Sequence, residues 1–276
     1  EWREKEEILR LDNIFRRELG YPKRGDAYAQ PWIYGERKYE HQISLRYSIT
    51  SELEAEEVKL ALENVQITNI IWNGQKVEHK ICGYYVDQQI KMVILSYLKK
   101  GNNILEIQIP YHAGVDVEAM YLLGDFGVSV KGRQAFLTNP ITKLAFGDIC
   151  TQGLPFYGGN LIYYLPIETR EDGILTVQVP QFRSPIIEVT LDGKCSKKLF
   201  KSPYKVTFEG VEKGLHNLEL KMFGNRKNTF GQLHNCSGSE LWCGPDAWRS
   251  TGENWAYEYQ LTKTGILISP SVTLER

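Results

Sequence analysis

The chain has 276 residues, a net charge of −1, and 42% hydrophobic against 24% charged residues. That length and composition suit one large or two medium domains, and the neutral balance leaves no global field to draw nucleic acid or an anionic membrane. With no basic stripe and no run of about twenty apolar residues, neither nucleic-acid binding nor a membrane span is expected.

Aromatic residues reach 12%, with 16 Tyr and 6 Trp, which favours β structure and binding surfaces. Cys82, Cys150, Cys195, Cys236 and Cys243 are scattered and odd in number, so free thiols are expected rather than a disulfide framework. Cys236 and Cys243 are the pair that would bridge in an oxidising compartment. The chain opens at Glu1 without a signal-type apolar segment, as expected of a processed chain or a portion of something longer.

At the N-terminus, Ile8, Leu11, Ile14, Phe15 and Leu19 recur at helical spacing, and Gly20 with Pro22 ends the run. This predicts an amphipathic helix over residues 2–19, with Glu4, Glu6 and Glu7 near its start and Arg16 and Arg17 near its end, as the helix dipole favours. It would serve as a cap on a sandwich or as a linker. Residues 21–35 carry too many aromatics for a flexible tether and read as an ordered loop.

From His41 the pattern changes to strands. Residues 41–49 and 58–65 alternate apolar and polar, and 67–77 read as a strand running into an Asn73-Gly74 turn. An apolar stretch over 92–98, a turn at 99–103 and an alternating strand at 104–111 follow. After a middle region the same order returns over 160–167, 174–182 and 185–195, with a second turn at Asp192-Gly193. Residues 205–211, 213–224 and 265–275 complete the set.

The two runs align on each other. Leu45–Ile49 matches Leu161–Leu165, Ile71–Lys76 matches the segment from Thr190 to Lys194, and Lys100–Ile107 matches Lys213–Leu220. Short, turn-separated strands in two copies predict an all-β protein of two tandem jelly-roll β-sandwiches behind a short helix. The expected division is 1–35 for helix and loop, 36–115 for the first sandwich, and 116–276 for the second.

The densest chemical signal lies near the C-terminus, where Trp242, Trp248 and Trp255 stand among Arg226, His234, Asp246, Arg249 and Glu253. Aromatic faces beside amides, carboxylates and guanidinium groups suit a sugar, whose axial C–H groups stack on a π-face while its hydroxyls need planar partners. Each tryptophan alone reads better as closing a sandwich core, and it is the cluster as a whole that points to a carbohydrate surface. Phe156 and Tyr157 precede Gly158-Gly159, where backbone can approach closely. Placed at one end of the second sandwich, these groups give a candidate ligand-binding set: Tyr157, Asn225, Arg226, Trp242, Asp246, Trp248, Arg249 and Trp255.

The motif formed by Trp72-Asn73-Gly74-Gln75 and by Leu98 to Ile107, with its second copy, resembles the galactose-binding-like jelly rolls of bacterial glycoside hydrolases of the family 2 and α-L-rhamnosidase-like type. The phrases 118–128 and 225–234 look like non-catalytic β domains of large polysaccharide-degrading enzymes. The resemblance covers about residues 40–276 and implies an accessory module beside a separate catalytic barrel in the same polypeptide, since no eightfold strand–helix alternation occurs here. It further implies a carbohydrate partner, no organic cofactor, a structural calcium in some members, and an extracellular or cell-surface setting, with the cytoplasm as the alternative.

Direct chemistry has less support. Asp125, Asp148, Asp246 and Glu253 are the carboxylates that would have to face each other across a glycosidic bond, but Asp125 and Asp148 read equally as turn caps. A lyase would draw on Tyr157, His234, Arg226 and Asn225. The His234-x-Cys236 pair with Cys243 fits no zinc spacing, and nucleotide-binding glycine motifs and a Gly-x-Ser-x-Gly elbow are missing.

Overall fold

The computed structural model describes residues 2, 5–22, 38–115, 117–236 and 252–276. It is an all-β sandwich protein with one short N-terminal helix, divided into two compact units: residues 1–140 with 234–260, and residues 141–233 with 261–276. Among the described residues no helix is long and apolar enough to cross a membrane.

Unit 1 contains α1 (Ile8–Glu18), β1 (His41–Ser51), β2 (Val58–Leu62), β3 (Asn69–Trp72), β4 (Gln75–Lys76), β5 (Ile81–Tyr85) and β6 (Asp87–Leu95). It continues with β7 (Gly101–Tyr111), β8 (Tyr121–Leu123), β9 (Gly127–Lys131) and β10 (Gln134–Thr138). One sheet runs β4-β3-β7-β1-β10-β9, antiparallel except at β1–β10, and the other runs β5-β6-β2-β8. Alternate residues of β7 point inward. Leu105, Ile107 and Ile109 thereby meet Leu60, Val93 and Leu95 of the facing sheet in one core. Trp72 is 1% exposed, and its indole donates to the Tyr97 carbonyl at 3.1 Å, which meets the hydrogen-bond need of a buried tryptophan.

The helix is shorter than the 2–19 periodicity predicts. Glu7 is its N-cap in extended conformation with no side-chain cap, so the acidic residues before it lie outside the helical run. It serves as a cap: Ile8, Leu11, Phe15 and Leu19 pack on the core of unit 1. Asp12 and Arg16 are buried together at 2.8 Å. The Arg16 guanidinium also donates to the carbonyls of Ala113 and Val115, and the Tyr111 hydroxyl donates to Asp12. A buried ion pair offsets its desolvation only with extra hydrogen bonds of this kind. The ordered loop expected at 21–35 falls mostly outside the described residues.

Unit 2 contains β11 (Leu161–Thr169), β12 (Gly173–Gln178), β13 (Phe182–Arg183), β14 (Ile187–Leu191), β15 (Cys195–Leu199) and β16 (Lys205–Val211). After these come β17 (Gly214–Met222), the one-turn α2 (Lys227–Phe230), β18 (Gly265–Ile266) and β19 (Ser271–Glu275). Its sheets run β11-β17-β14-β15 and β16-β12-β19, with the small β13-β18 pair beside them. Ile187, Val189, Leu218 and Leu220 from the first sheet and Leu175, Val177 and Phe208 from the second share one core.

The strand orders repeat. β4-β3-β7-β1 in unit 1 has the same connectivity as β15-β14-β17-β11 in unit 2, and β6-β2-β8 the same as β16-β12-β19. One match needs correction. Leu45 pairs with Ile107, and the equivalent Leu220 pairs with Tyr163, so β11 sits two residues further along than the Leu45–Leu161 alignment predicts. A two-residue slip keeps the same side chains inward, so alternation alone is blind to it.

The division between units falls at Pro140 rather than at 115. β8 pairs with β2 and β10 with β1, so residues 121–138 complete the sheets of unit 1.

Candidate functional site

In unit 2 the structure brings three of the sequence-selected residues together. Gly158 lies against the Asn225 carbonyl and the Arg226 side chain, and the Gly224 amide donates to Asn160 Oδ1 at 3.0 Å. The Thr229 hydroxyl donates to the Phe156 carbonyl at 2.8 Å and ties α2 to the same loop. Gly224 is needed here, because a Cβ would run into the carbonyl oxygens of Gly158 and Gly159. Tyr157 is 42% exposed, its hydroxyl donating to the Asn160 carbonyl, and Arg226 is exposed beside it. Asn225 acts locally, its Oδ1 accepting from the Lys227 amide at the start of α2.

Beside this loop pair is an open groove of about 700 Å³, within the range of ligand pockets. Its walls are residues 141–146 and 161–165, with Ser269. β11 is an edge strand bonded only to β17, and residues 141–146 form no strand. Successive residues of a strand point to opposite faces. All five from Leu161 to Leu165 reach the groove, so it runs along the open edge of β11 rather than over one face.

The groove is aromatic. Phe146 and Tyr163 stack with centroids 4.9 Å apart and ring planes 25° apart. Tyr163 is 9% exposed and belongs to the core of unit 2; among the described residues its buried hydroxyl has no hydrogen-bond partner, and burial pushes its phenol pKa up. Tyr164 points to the other side and is 63% exposed. It sits opposite Glu219 of β17, with Thr190 of β14 next in the row. The Asn217 amide donates to Glu219 at 3.3 Å. An exposed ring beside polar groups of this kind can stack on a sugar face and bond its hydroxyls.

Trp255 belongs to unit 1. The Arg10 guanidinium lies 4.9 Å over its ring, Tyr257 meets it edge-on at 4.6 Å, and Tyr257 in turn donates to Glu6 at 3.1 Å. His234 is part of the same cluster, with Nδ1 3.0 Å from the Ala256 carbonyl and Nε2 3.4 Å from Glu7. Burial opposes its charged form, but Glu7 and the carbonyls of Ala256 and Glu258 prevail and raise its pKa. The lyase grouping therefore draws its residues from both units, with His234 in unit 1 and Tyr157, Asn225 and Arg226 in unit 2.

Trp242, Asp246, Trp248, Arg249 and Cys243 lie outside the described residues. Asp148 acts as a cap, its Oδ1 accepting from the amides of Cys150 and Thr264 at 3.1 Å each. Cys150 receives the Asn228 amide at 3.3 Å, and burial pushes its thiol up to about 12. Cys82, Cys150, Cys195 and Cys236 carry free thiols. Among the described residues no three His, Cys, Asp or Glu side chains converge on a metal position, so the calcium implied by the resemblance finds no such ligand set there.

No protein-family model matches the chain, and no curated protein sequence matches it. Among solved structures it is similar to a rhamnosidase, a glycoside hydrolase, from Novosphingobium sp. PP1Y. The TM-score is 0.32 and the identity 14%, over 75% of this chain and 20% of that one. The chain thus spans about a fifth of that enzyme's length.

The sequence passed over the groove. Tyr163 and Tyr164 were legible as strand residues, and adjacent tyrosines in a strand must place one ring on each face. That 141–146 leaves the edge of β11 open depends on pairing, which local pattern does not encode.

Proposed function

We propose that this chain is a non-catalytic accessory module that binds carbohydrate within a larger polysaccharide-degrading glycoside hydrolase. The observation that carries the reading is the groove of unit 2: an exposed tyrosine, a stacked Phe146–Tyr163 pair, and Thr142, Lys143 and Ser269 at the same opening. Among the described residues no carboxylate lines it, whereas glycoside cleavage needs two across the scissile bond. Binding by stacking with polar selection is the chemistry these groups support. The exposed Tyr157 and Arg226 lie on the loop that leads into β11 and on its neighbour, and would extend the contact. The repeated Asn/Asp-Gly turn motif, shared in resemblance with sugar-binding jelly rolls, is consistent with this role.

Single-site affinity is weak on this account, since each ring contributes about 1 kcal/mol and sugar hydroxyls must be desolvated. Affinity gel electrophoresis against a panel of neutral and acidic polysaccharides tests the reading. Retardation by at least one polymer, reduced in Tyr164→Ala, supports it. A folded protein retarded by none would leave a purely architectural module.

A further inference from the structure

We infer that the sugar bound by this module is neutral and docks on the outer face of the β11 edge, one ring stacked on Tyr164 and its adjacent hydroxyls on the Glu219 carboxylate; this rests on the carbohydrate-binding reading above. The two units, set side by side, carry the inference. Leu45 paired with Ile107 is equivalent to Tyr163 paired with Leu220, so the next, outward pair of Arg46 with Glu106 is equivalent to Tyr164 with Glu219. In unit 1 that carboxylate is neutralised. Arg46 Nε donates to Glu106 at 2.8 Å, Nη2 lies 2.6 Å away, and the guanidinium sits 3.8 Å over the Trp2 ring. Unit 2 keeps the carboxylate but has, in place of the arginine, a tyrosine that is 63% exposed.

Glu219 is thereby left without its cation. Its Oε1 accepts from the Asn217 amide at 3.3 Å, and among the described residues its Oε2 accepts nothing and the side chain has no ion pair. Paired strands lie about 4.8 Å apart, so the Tyr164 ring and this open acceptor are within reach of one sugar residue. The same row continues with Thr190 and Ser196, whose hydroxyls are 2.8 Å apart.

The surrounding charges set the class of sugar. The next row on this face is Ile162, Lys221, Glu188 and Lys198, with Lys198 4.0 Å from Glu188 and the Lys221 ammonium 4.9 Å over the Phe223 ring. Within the two rows two carboxylates stand against two ammonium groups, so no net field draws an ion. A uronate on Tyr164 would meet Glu219 at like charge. A neutral sugar supplies what the place lacks: an apolar C–H face for the ring, and hydroxyl donors for the carboxylate, which makes the stronger, charge-assisted kind of hydrogen bond.

The test is affinity electrophoresis on gels containing a glucan, a galactan or a mannan with free primary hydroxyls, each beside the same polymer oxidised at C6 to the uronate, with chitosan as a cationic lane. The inference expects retardation by at least one neutral polymer, an effect at least tenfold weaker for its oxidised form, and about a tenfold loss in Glu219→Gln. Tyr164→Arg, which copies the unit 1 ion pair into unit 2, should abolish retardation. Lys198→Gln on the next row should behave as the parent, which separates a local contact from a change in net charge. Retardation that is equal for neutral and oxidised polymers, confined to oxidised polymers or chitosan, or undiminished in Glu219→Gln or Tyr164→Arg overturns the inference and leaves the binding module standing. No retardation by any polymer, with the protein folded by circular dichroism, overturns both.

Discussion

Asn103 and His216 occupy the same place in the two units. Asn103 Oδ1 accepts from Asn73 Nδ2 at 2.9 Å, and its Nδ2 donates to the Lys99 carbonyl at 2.8 Å. His216 Nδ1 lies 2.8 Å from Asp192 Oδ2, and its Nε2 lies 2.8 Å from the Glu212 carbonyl. The turn residues match as well. Asn73 and Asp192 both have left-handed backbone, with φ of 48° and 52°, and each accepts a strand amide, from Ile104 at 2.9 Å and Asn217 at 2.8 Å. One network thus recurs with different chemistry: an amide pair in unit 1 and a titratable pair in unit 2.

That difference gives unit 2 a pH-sensitive pair at a position where unit 1 has an uncharged one. Both nitrogens of His216 face acceptors, so its charged form is favoured, first by Asp192 and then by the Glu212 carbonyl, and its pKa is raised. Asp192 is held below the usual carboxylate range, chiefly by His216. The stabilisation is therefore complete below about pH 6.5 and is lost as pH rises through the raised His216 value. On the acid side it is lost as Asp192 protonates, below about pH 4. Urea midpoints at pH 5.5 and 8.5 should show a decline that the Asp192→Asn/His216→Asn double variant reduces, the remainder following His234 of unit 1, whose pKa is also raised.

In unit 1 the same position is buried and uncharged. Asn103 is 0% exposed, and Asn73→Ala removes one of the two donors to its Oδ1, leaving the Lys99 amide at 3.1 Å, while the Ile104 amide loses its Asn73 acceptor. A cost of about 1–3 kcal/mol is expected, read as a lower urea midpoint with unchanged slope.

The helix cap should prove more sensitive. Arg16→Leu leaves the buried Asp12 carboxylate, 2% exposed, without its cation. Removing one partner of a buried pair costs about 3–5 kcal/mol, and replacing both with leucine should recover most of it. Thermal unfolding of the single and double variants separates the two cases.

Thiol labelling gives a simple check on unit 2. Cys82, Cys195 and Cys236 are exposed, whereas Cys150 is part-buried beside Asp148 and Asn228 with its thiol pushed up to about 12. At pH 8 the three exposed thiols should react with an aromatic disulfide within minutes, and Cys150 only after denaturation. Peptide mapping identifies which remains unlabelled.

Gly224→Ala tests the loop pair. A Cβ there meets the Gly158 and Gly159 carbonyls, so the loops must separate at a cost of about 1–3 kcal/mol. Hydrogen exchange of the Gly224 amide, bonded to Asn160 in the parent, should accelerate in the variant.

The sequence carried much of this architecture because its two runs obey the same constraints. An Asn-Gly or Asp-Gly pair demands a left-handed turn, and alternation fixes which side chains face inward, so strands, turns and duplication were readable. Register was not, because the β11 slip leaves every inward residue inward. The Pro140 boundary was hidden because β8, β9 and β10 are short strands that gain meaning only through their partners β2 and β1. For the site, Gly158 and Gly159 after Tyr157 pointed to close backbone approach, and the structure places that approach against Gly224. The groove at Tyr164 was unreadable because an open strand edge is defined by a neighbour that does not pair.

The most direct test of the carbohydrate-binding account is a backbone amide NMR titration of the chain with an oligosaccharide released from any retarding polymer. The account predicts shifts concentrated at residues 141–146 and 161–165 and at Ser269, saturating together and vanishing in Tyr164→Ala. Shifts confined to unit 1, or no shifts at millimolar sugar, would contradict it.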